Sequence, residues 1–248
     1  MIWVKSMHVF EELDFLETPL GEISLRKRSE PRLDNIIIYE VKLNEEFLMS
    51  SLFVEAELQL AHLGLAAIAD VFTEPLEVIV GGLGLGYTAV AALENNNVAT
   101  LKVIEVMQPV IDWHQRGLVP MGEKLTGDSR CELVLADFFV SAMAKNQGFG
   151  KVNNDQKVHA VLLDIDHSPS FWLNASHGDF YTEHGLHSLA DKIIEGGVFG
   201  LWSDEAPDEV FMSLLAKVFD SVESHIVSFH NPYIQQDSAN TVYLGFKK

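Results

Sequence analysis

A single stretch of the chain, LEVIVGGLGLGYTAVAAL at residues 76–93, constrains the fold more than any other part of the sequence. Its apolar first part is typical of a buried strand, the glycines after it of a tight turn, and the residues from Tyr87 onward of a helix. A second apolar run, LKVIEV, follows and ends at residue 106. Strand, glycine turn, helix and strand in this order are the parts of a βαβ unit that binds a nucleoside.

The spacing of the glycines limits which nucleoside ligands this turn is expected to bind. Gly82, Gly84 and Gly86 allow a sharp turn and a close approach of the backbone to a ligand. Glu105 lies about 20 residues further on, where a carboxylate can accept hydrogen bonds from ribose hydroxyls. The dinucleotide fingerprint would need a third glycine where Tyr87 stands. The pattern therefore favours S-adenosylmethionine or a relative of it over NAD, although glycine-rich turns also occur in α/β proteins that bind no ligand there.

Strand and helix patterns alternate through the rest of the chain. The strands are continuously apolar, which predicts a mainly parallel sheet covered by helices on both faces. We expect strands near residues 76–80, 100–106, 132–136, 158–164 and 197–202, and helices near 87–94, 108–117, 138–145, 183–195 and 208–218. Two last strands, near 224–229 and 241–246, are expected to close one edge as an antiparallel pair and to complete a seven-stranded sheet.

The first fifty or so residues differ from the rest. Residues 13–28 and 35–51 are rich in Ile, Leu, Tyr and Val, partly alternate, and are separated by turn formers. They predict a small antiparallel sheet, which a helix within residues 52–70 joins to the larger part. We expect an N-terminal domain of residues 1–52 and a nucleoside-binding catalytic domain of residues 53–248. Residues 148–157, GFGKVNNDQK, are predicted to form a flexible surface loop.

The net charge and the apolar runs of the chain limit the kinds of molecule that it is expected to bind. The formal charge of −19 repels a phosphate backbone and argues against nucleic acid, whereas it attracts a cationic substrate such as a polyamine, unless it serves solubility alone. No apolar run reaches the roughly 20 residues that cross a bilayer, and charges interrupt the N-terminus too early for a signal peptide. We expect a cytoplasmic protein without a membrane partner. The lone Cys131 permits no internal disulfide and is predicted to be a buried, inert thiol.

Acidic residues follow several predicted strands, at the edge of the sheet where α/β proteins bind ligands. Asp137 follows the third strand of the predicted sheet, and its carboxylate or the backbone beside it is expected to bind an adenine amino group. Phe138 is expected to pack on the base. The alternative for Asp137 is an N-cap of the following helix, and the two roles can coexist.

The segment VLLDIDHSPSFWL, at residues 161–173, carries the most suggestive chemistry. Asp164 follows the fourth strand, where a carboxylate can hold an attacking amine and accept its proton. Asp166 is a neighbouring carboxylate that assists a base, and His167 is able to titrate near neutral pH. The alternative is an ordinary polar loop with a solvent-facing histidine. No residue pattern indicates a metal site.

At this point the chain resembles the spermidine synthases and their relatives, the polyamine aminopropyltransferases. The resemblance extends over nearly the whole chain and is carried by the glycine motif and by LNEEFLMSS, ELQLAHLGLA, IEVMQPVIDWHQRGLVP, VLLDIDHSP and FYTEHGLHSLADKIIEGGVFGLW. It implies a Rossmann-like class I methyltransferase fold, a mainly parallel seven-stranded sheet, with a small N-terminal antiparallel β-sheet. It also implies a homodimer, because relatives commonly pair through the N-terminal region.

The resemblance assigns roles to individual residues. It implies that Asp164 assists deprotonation of the attacking amine and that the glycines, Glu105 and Asp137 contact the nucleoside of decarboxylated S-adenosylmethionine. The sequence departs from the family at four places. The family's Asp in the glycine loop falls at Leu85, its Gln in the N-terminal sheet near Leu48, its Tyr-His-Glu near residues 56–58, and its second active-site Asp at His167 or, displaced, at Asp166. These departures imply a changed acceptor site.

Three hypotheses follow. The first is a spermidine synthase-like transferase that moves an aminopropyl group from decarboxylated S-adenosylmethionine to an amine, with Asp164 as base and Asp166 or His167 as auxiliary group. The second is a methyltransferase on the same scaffold that uses S-adenosylmethionine itself, where proximity and orientation supply most of the catalysis. The third is a noncatalytic member of the family with a degenerate site.

Overall fold

Two β-sheets organise the chain, and the computed structural model describes residues 8–44, 46–145, 148–149 and 156–248 of it. The first sheet is antiparallel, as predicted, and its four strands follow chain order: β1 (Phe10–Thr18), β2 (Gly21–Glu30), β3 (Ile36–Leu43) and β4 (Glu46–Ser50). Of the predicted loop at 148–157, residues 150–155 lie outside the described residues. The domain boundary between residues 52 and 53 stays a prediction.

The second sheet confirms the predicted α/β architecture. Its seven strands lie in the order β10-β11-β9-β8-β5-β6-β7. Strands β5 to β9 are parallel, and β11 runs antiparallel to both β9 and β10. The bounds are β5 (Leu76–Gly81), β6 (Val98–Glu105), β7 (Cys131–Leu135), β8 (Val158–Leu163), β9 (Ile193–Ser203), β10 (Ser221–Asn231) and β11 (Gln236–Phe246).

Helices cover this sheet on both faces, and most lie where the sequence predicts them. They are α1 (Glu55–Ala67), α2 (Tyr87–Leu93), α3 (Gln108–Gln115), α4 (Gly122–Gly127), α5 (Phe138–Met143), α6 (Glu183–Ala190) and α7 (Glu209–Leu215). The prediction for residues 191–195 is wrong, because Ile193 pairs with Val158 and already belongs to β9. Helix α4 was not predicted, since its six residues, GEKLTG, carry glycine at both ends and show no apolar period.

The apolar core lies on the two faces of the larger sheet. One cluster joins this sheet to α1, α2 and the N-terminal sheet, whose Ile23, Leu25 and Val41 pack in the same cluster as Leu60 of α1. A second, aromatic-rich cluster lies under α5, α6 and α7. The N-terminal sheet is therefore packed against the carboxyl-end region of the larger sheet through shared apolar side chains, where it can form one wall of a site.

Cys131 begins β7 and is half-buried rather than fully buried, which differs from the prediction. Burial still raises the pKa of its thiol to about 12. A thiol must ionise before it acts as a nucleophile, so this cysteine stays protonated and unreactive near neutral pH.

Candidate functional site

A cavity of about 450 Å³ opens where the parallel strands end. Its walls come from the turn after β5, the ends of β6, β8 and β9, the start of α5, and the first turn of α1. Leu43, Leu48 and Met49 of the N-terminal sheet close the opposite side. The cavity therefore lies at the edge of the sheet where the strand order predicts a ligand.

The glycine turn forms the floor of this cavity. Gly82, Gly84 and Gly86 all have positive φ angles, of 93°, 50° and 92°. A Cβ atom at Gly82 would collide with the main-chain oxygen of Asp164, which follows the neighbouring strand β8. Only glycine therefore allows β5 to turn beside β8, and the turn leaves its backbone open to a ligand.

Glu105 ends β6 and is buried against the turn. Its Oε2 accepts a hydrogen bond from the backbone N–H of Leu83 at 3.1 Å, and its Oε1 accepts one from Met107 at 2.8 Å. Burial raises the pKa of this carboxyl, and the backbone donors oppose the rise. Each carboxylate oxygen has a second lone pair, so the group can hold the turn and also accept a bond from a ribose hydroxyl.

Asp137 and Phe138 lie together at the start of α5. The Asp137 carboxylate accepts a hydrogen bond from the Val140 N–H at 3.0 Å, which is the N-cap that the sequence offered as an alternative, and the residue also lines the cavity. Phe138 contributes to the lining, but only 2% of it is exposed. Its ring packs in the core against Phe149, with ring centroids 5.6 Å apart. The ring is thus a wall of the core rather than an exposed platform for a base.

Asp164 lies directly after β8, half-buried, and faces the cavity. The Thr88 hydroxyl donates a hydrogen bond to its Oδ2 at 2.7 Å. Burial raises the pKa of this carboxyl to about 6, and the bond from Thr88 opposes the rise. The group therefore changes charge close to neutral pH, which suits a proton acceptor.

Sequence reasoning gave no role to Glu57, in the first turn of α1, although it lines the same cavity. Burial and then the charge of Asp164 raise its pKa to about 8. A signal was present in the sequence, because Glu57 stands three, four and seven residues before Leu60, Ala61 and Gly64 on the buried stripe of the helix. An acid on an apolar stripe calls for a functional explanation.

Asp166 and His167 are adjacent in sequence but take different places. Asp166 is buried behind the cavity, where it accepts hydrogen bonds from Leu173 N at 2.8 Å, His177 Nδ1 at 2.8 Å and Tyr181 Oη at 3.0 Å. It fixes the segment between β8 and α6 and does not line the cavity. His167 does line it, with Nδ1 3.7 Å from an Asp204 carboxylate oxygen.

The charged side chains that line the cavity are mainly acidic. Five carboxyl groups line it, and no lysine or arginine does so within the described part of the chain. They are Glu57, Glu105, Asp137, Asp164 and Asp204. Carboxylates that are removed from water without a lysine or arginine partner favour a cationic ligand, and burial raises the pKa of Glu57, Glu105 and Asp164 in this way. Leu85 also lines the cavity and is almost fully buried, so the glycine loop adds an apolar group.

No helix in residues 8–44, 46–145, 148–149 and 156–248 is long and apolar enough to cross a membrane. The same ranges contain no group of three or more His, Cys, Asp or Glu side chains arranged to hold a metal ion.

A seven-stranded sheet with one reversed strand, a glycine turn after its first parallel strand and acids at the following strand ends define the class I methyltransferase-like scaffold. Comparison with solved structures narrows this to a spermidine synthase-like fold. A spermidine synthase in complex with the transition-state analogue AdoDATO matches with a TM-score of 0.71 and 15% identity, over 98% of this chain and 81% of that one.

Two further solved spermidine synthase structures match the fold of this chain. The spermidine synthase from Thermotoga maritima gives a TM-score of 0.70 at 15% identity, over 98% of this chain and 80% of the other. A probable spermidine synthase from Corynebacterium glutamicum gives 0.63 at 11%, over 96% and 80%. No family model and no curated protein matches the sequence. The predicted fold and its resemblance are confirmed, and at these identities the likeness concerns the fold alone.

Proposed function

We propose that the protein is an aminopropyltransferase-like enzyme that moves an aminopropyl group from decarboxylated S-adenosylmethionine to an amine. One observation carries this proposal: a cavity at the glycine turn is lined by five carboxyl groups and, among the described residues, by no lysine or arginine. Both proposed substrates are cations, the donor through its sulfonium and amine and the acceptor through its ammonium group. The spermidine synthase-like fold supports the same proposal.

Two parts of the cavity take different substrates in this proposal. The donor end consists of Gly82, Gly84, Gly86, Glu105 and Asp137, where backbone groups and carboxylates suit a nucleoside. The acceptor end consists of Leu48, Glu57, Asp164, His167 and Asp204, where the amine binds. The intact donor carries a carboxylate that this acidic lining repels, which favours the decarboxylated form.

The chemistry needs one proton acceptor. Asp164 takes a proton from the acceptor ammonium, and the freed nitrogen lone pair attacks the carbon next to the sulfonium. The carbon–sulfur bond breaks with its electrons moving to sulfur, which leaves as a neutral thioether. His167, held beside Asp204, is an auxiliary polar group at the same end, and Asp166 acts as a positioning residue through the segment that it fixes.

A methyltransferase that uses intact S-adenosylmethionine is the second candidate. The observation in its favour is apolar lining where the aminopropyltransferase family carries polar groups, at Leu48 and Leu85. In that case proximity and orientation supply most of the rate, and Asp164 is less important.

We also propose a homodimer formed through the N-terminal sheet. Large apolar side chains are exposed there, with Phe10 70%, Phe15 50% and Phe47 56% exposed. Such side chains on one small sheet are typical of an interaction surface. Light scattering is expected to give twice the chain mass of 27.7 kDa, and a mass equal to one chain would contradict the dimer. A cytoplasmic location stays a prediction.

Titration calorimetry with the two donors tests the proposed function. Tighter binding of decarboxylated S-adenosylmethionine is expected, followed by transfer to an amine. Tighter binding of intact S-adenosylmethionine would favour methyl transfer. Binding of neither donor would contradict both and favour a noncatalytic protein.

A further inference from the structure

Glu57 and Asp164 line the same cavity from separate elements, and the two elements pack against each other. Glu57 belongs to the first turn of α1, and Asp164 follows β8. One oxygen of Asp164 is engaged by the Thr88 hydroxyl at 2.7 Å, which fixes the position of this carboxyl. No lysine or arginine in the described part of the chain lines the cavity, and the two histidines of the lining lie beside other acids, His167 beside Asp204 and His177 beside Asp166.

The ionisable groups that raise the pKa of Glu57 are acids, and a backbone hydrogen bond at Glu57 opposes the rise. Besides Asp164, the carboxyl of Glu55 on the same helix and the phenol of Tyr87 on α2 interact with it. Burial and the charge of Asp164 raise the pKa of Glu57 to about 8. Two acids in this situation share a proton near neutral pH, and a cation that binds between them displaces it.

We propose that Glu57 and Asp164 form a two-carboxyl site that binds the acceptor nitrogen as an ammonium ion and takes up its proton. This inference rests on the proposed function and deepens it, because it adds Glu57 as a catalytic residue and makes the acceptor a primary or secondary amine. Such an amine is positively charged in water at neutral pH, so it supplies both the cation and the proton.

Atoms and charges are conserved in the transfer step. The ammonium group gives one proton to the carboxyl pair, and the neutral nitrogen forms a bond to the donor carbon. The bond from that carbon to sulfur breaks, its electron pair stays on sulfur, and the sulfonium becomes a neutral thioether. The new carbon–nitrogen product keeps the positive charge, and the carboxyl pair later releases its proton to solvent.

A pH series of melting temperatures tests the pair without any substrate. Glu57 has a pKa near 4.5 when unfolded and about 8 when folded, so its contribution to stability is complete below 4.5 and is lost as the pH rises through 8. Glu57→Gln removes this loss. We expect the variant to melt about 3 °C or more above the parent protein at pH 9, and the difference to shrink towards pH 5.

Glu55→Gln is the matched control, because it removes the same charge from the same helical turn at an exposed position outside the cavity lining. It should show a much smaller pH-dependent difference. Equal pH profiles for the parent protein and Glu57→Gln would contradict the shared proton and overturn the inference.

Amine binding gives the second test. The probe is n-butylamine, titrated near pH 7 into protein saturated with the thioether nucleoside methylthioadenosine, in two buffers of different ionisation enthalpy. We expect release of about one proton on binding by the parent protein. Glu57→Gln should bind the amine at least tenfold more weakly and release less proton, with unchanged affinity for methylthioadenosine.

The failures of the two proposals are distinguishable. If the parent protein binds neither donor nor methylthioadenosine, the proposed function is contradicted, and the inference falls with it. If the protein transfers an aminopropyl group while Glu57→Gln keeps full amine affinity and the same proton release, only the inference is overturned.

Discussion

The donor end and the acceptor end of the cavity are built on different principles. At the donor end, the carboxylates already have backbone partners before any ligand binds: Glu105 accepts hydrogen bonds from the N–H groups of Leu83 and Met107, and Asp137 accepts one from Val140. At the acceptor end, Glu57 and Asp164 come from distant parts of the chain, and burial followed by the charge of Asp164 raises the pKa of Glu57. The proposed donor end is thus held by its own hydrogen bonds, whereas the proposed acceptor end retains an electrostatic cost that a bound cation would relieve.

Replacing the proposed base at the acceptor end should give the largest effect. Asp164→Asn keeps the size of the side chain and can still bond to the Thr88 hydroxyl, but it no longer takes a proton. We expect turnover to fall by about 10²–10⁴-fold, which is the usual contribution of a general base.

Calorimetry supplies the control for this variant. Donor affinity should stay within a few-fold of the parent protein, because the donor end is unchanged. Full turnover by Asp164→Asn would show that both ends only bind and that another group, or solvent, accepts the proton.

Replacing a glycine at the donor end should mainly change stability. In Gly82→Ala the new methyl group meets the main-chain oxygen of Asp164, and the positive φ of 93° is unfavourable for alanine. We expect the free energy of unfolding to fall by about 2 kcal/mol or more, with loss of donor binding. Denaturant unfolding measures the first effect.

Gly127→Ala is a matched control for that measurement. Gly127 lies in α4, and a Cβ atom there would have no neighbour within 4 Å. The free energy of unfolding should change by less than about 1 kcal/mol. Equal losses for the two variants would show that the turn after β5 is not the special feature of the donor end.

The difference between the two ends of the cavity also explains which structural features could be predicted from the sequence. The donor end is encoded locally, since its glycines stand within one turn and Glu105 and Asp137 directly end a strand or begin a helix. The parallel part of the larger sheet is predictable for the same reason, because each of its strands contains a short apolar run. Local patterns therefore sufficed for the order of the elements and for the positions of these residues.

The acceptor end depends on tertiary contacts that local patterns do not contain. Glu57 and Asp164 are brought together only when α1 packs beside the end of β8. Asp166 and His167 show the same limit at short range, because the hydrogen bonds from Leu173, His177 and Tyr181 decide which of the two faces the cavity.

The Asp166→Asn variant tests whether the hydrogen bonds of Asp166, which lies outside the cavity lining, hold the proposed acceptor end in position. Asp166→Asn leaves one acceptor oxygen for three donors, and its amide group meets at least one N–H or O–H. We expect a loss of about 1–3 kcal/mol in the free energy of unfolding. Asp179→Asn, at an exposed position in the same segment, should change it by less than about 0.5 kcal/mol. Equal stability of the two variants would contradict the positioning role.

Leu48→Gln should give the smallest effect and sharpens the comparison at the acceptor end. Leu48 lines the cavity near the place where the resembling family carries a glutamine, so an amide there offers a new acceptor to a second amine group. A hydrogen bond from that ammonium group to the amide oxygen is worth about 1.5 kcal/mol, at the lower end for charged donors, which predicts a roughly tenfold gain in affinity for 1,4-diaminobutane over n-butylamine. Leu48→Met keeps the volume and the apolar character, so it should leave the ratio of the two affinities unchanged.

If both variants leave the ratio unchanged, the acceptor does not extend along the N-terminal sheet, and the acceptor end is confined to Glu57, Asp164 and their neighbours on the larger sheet.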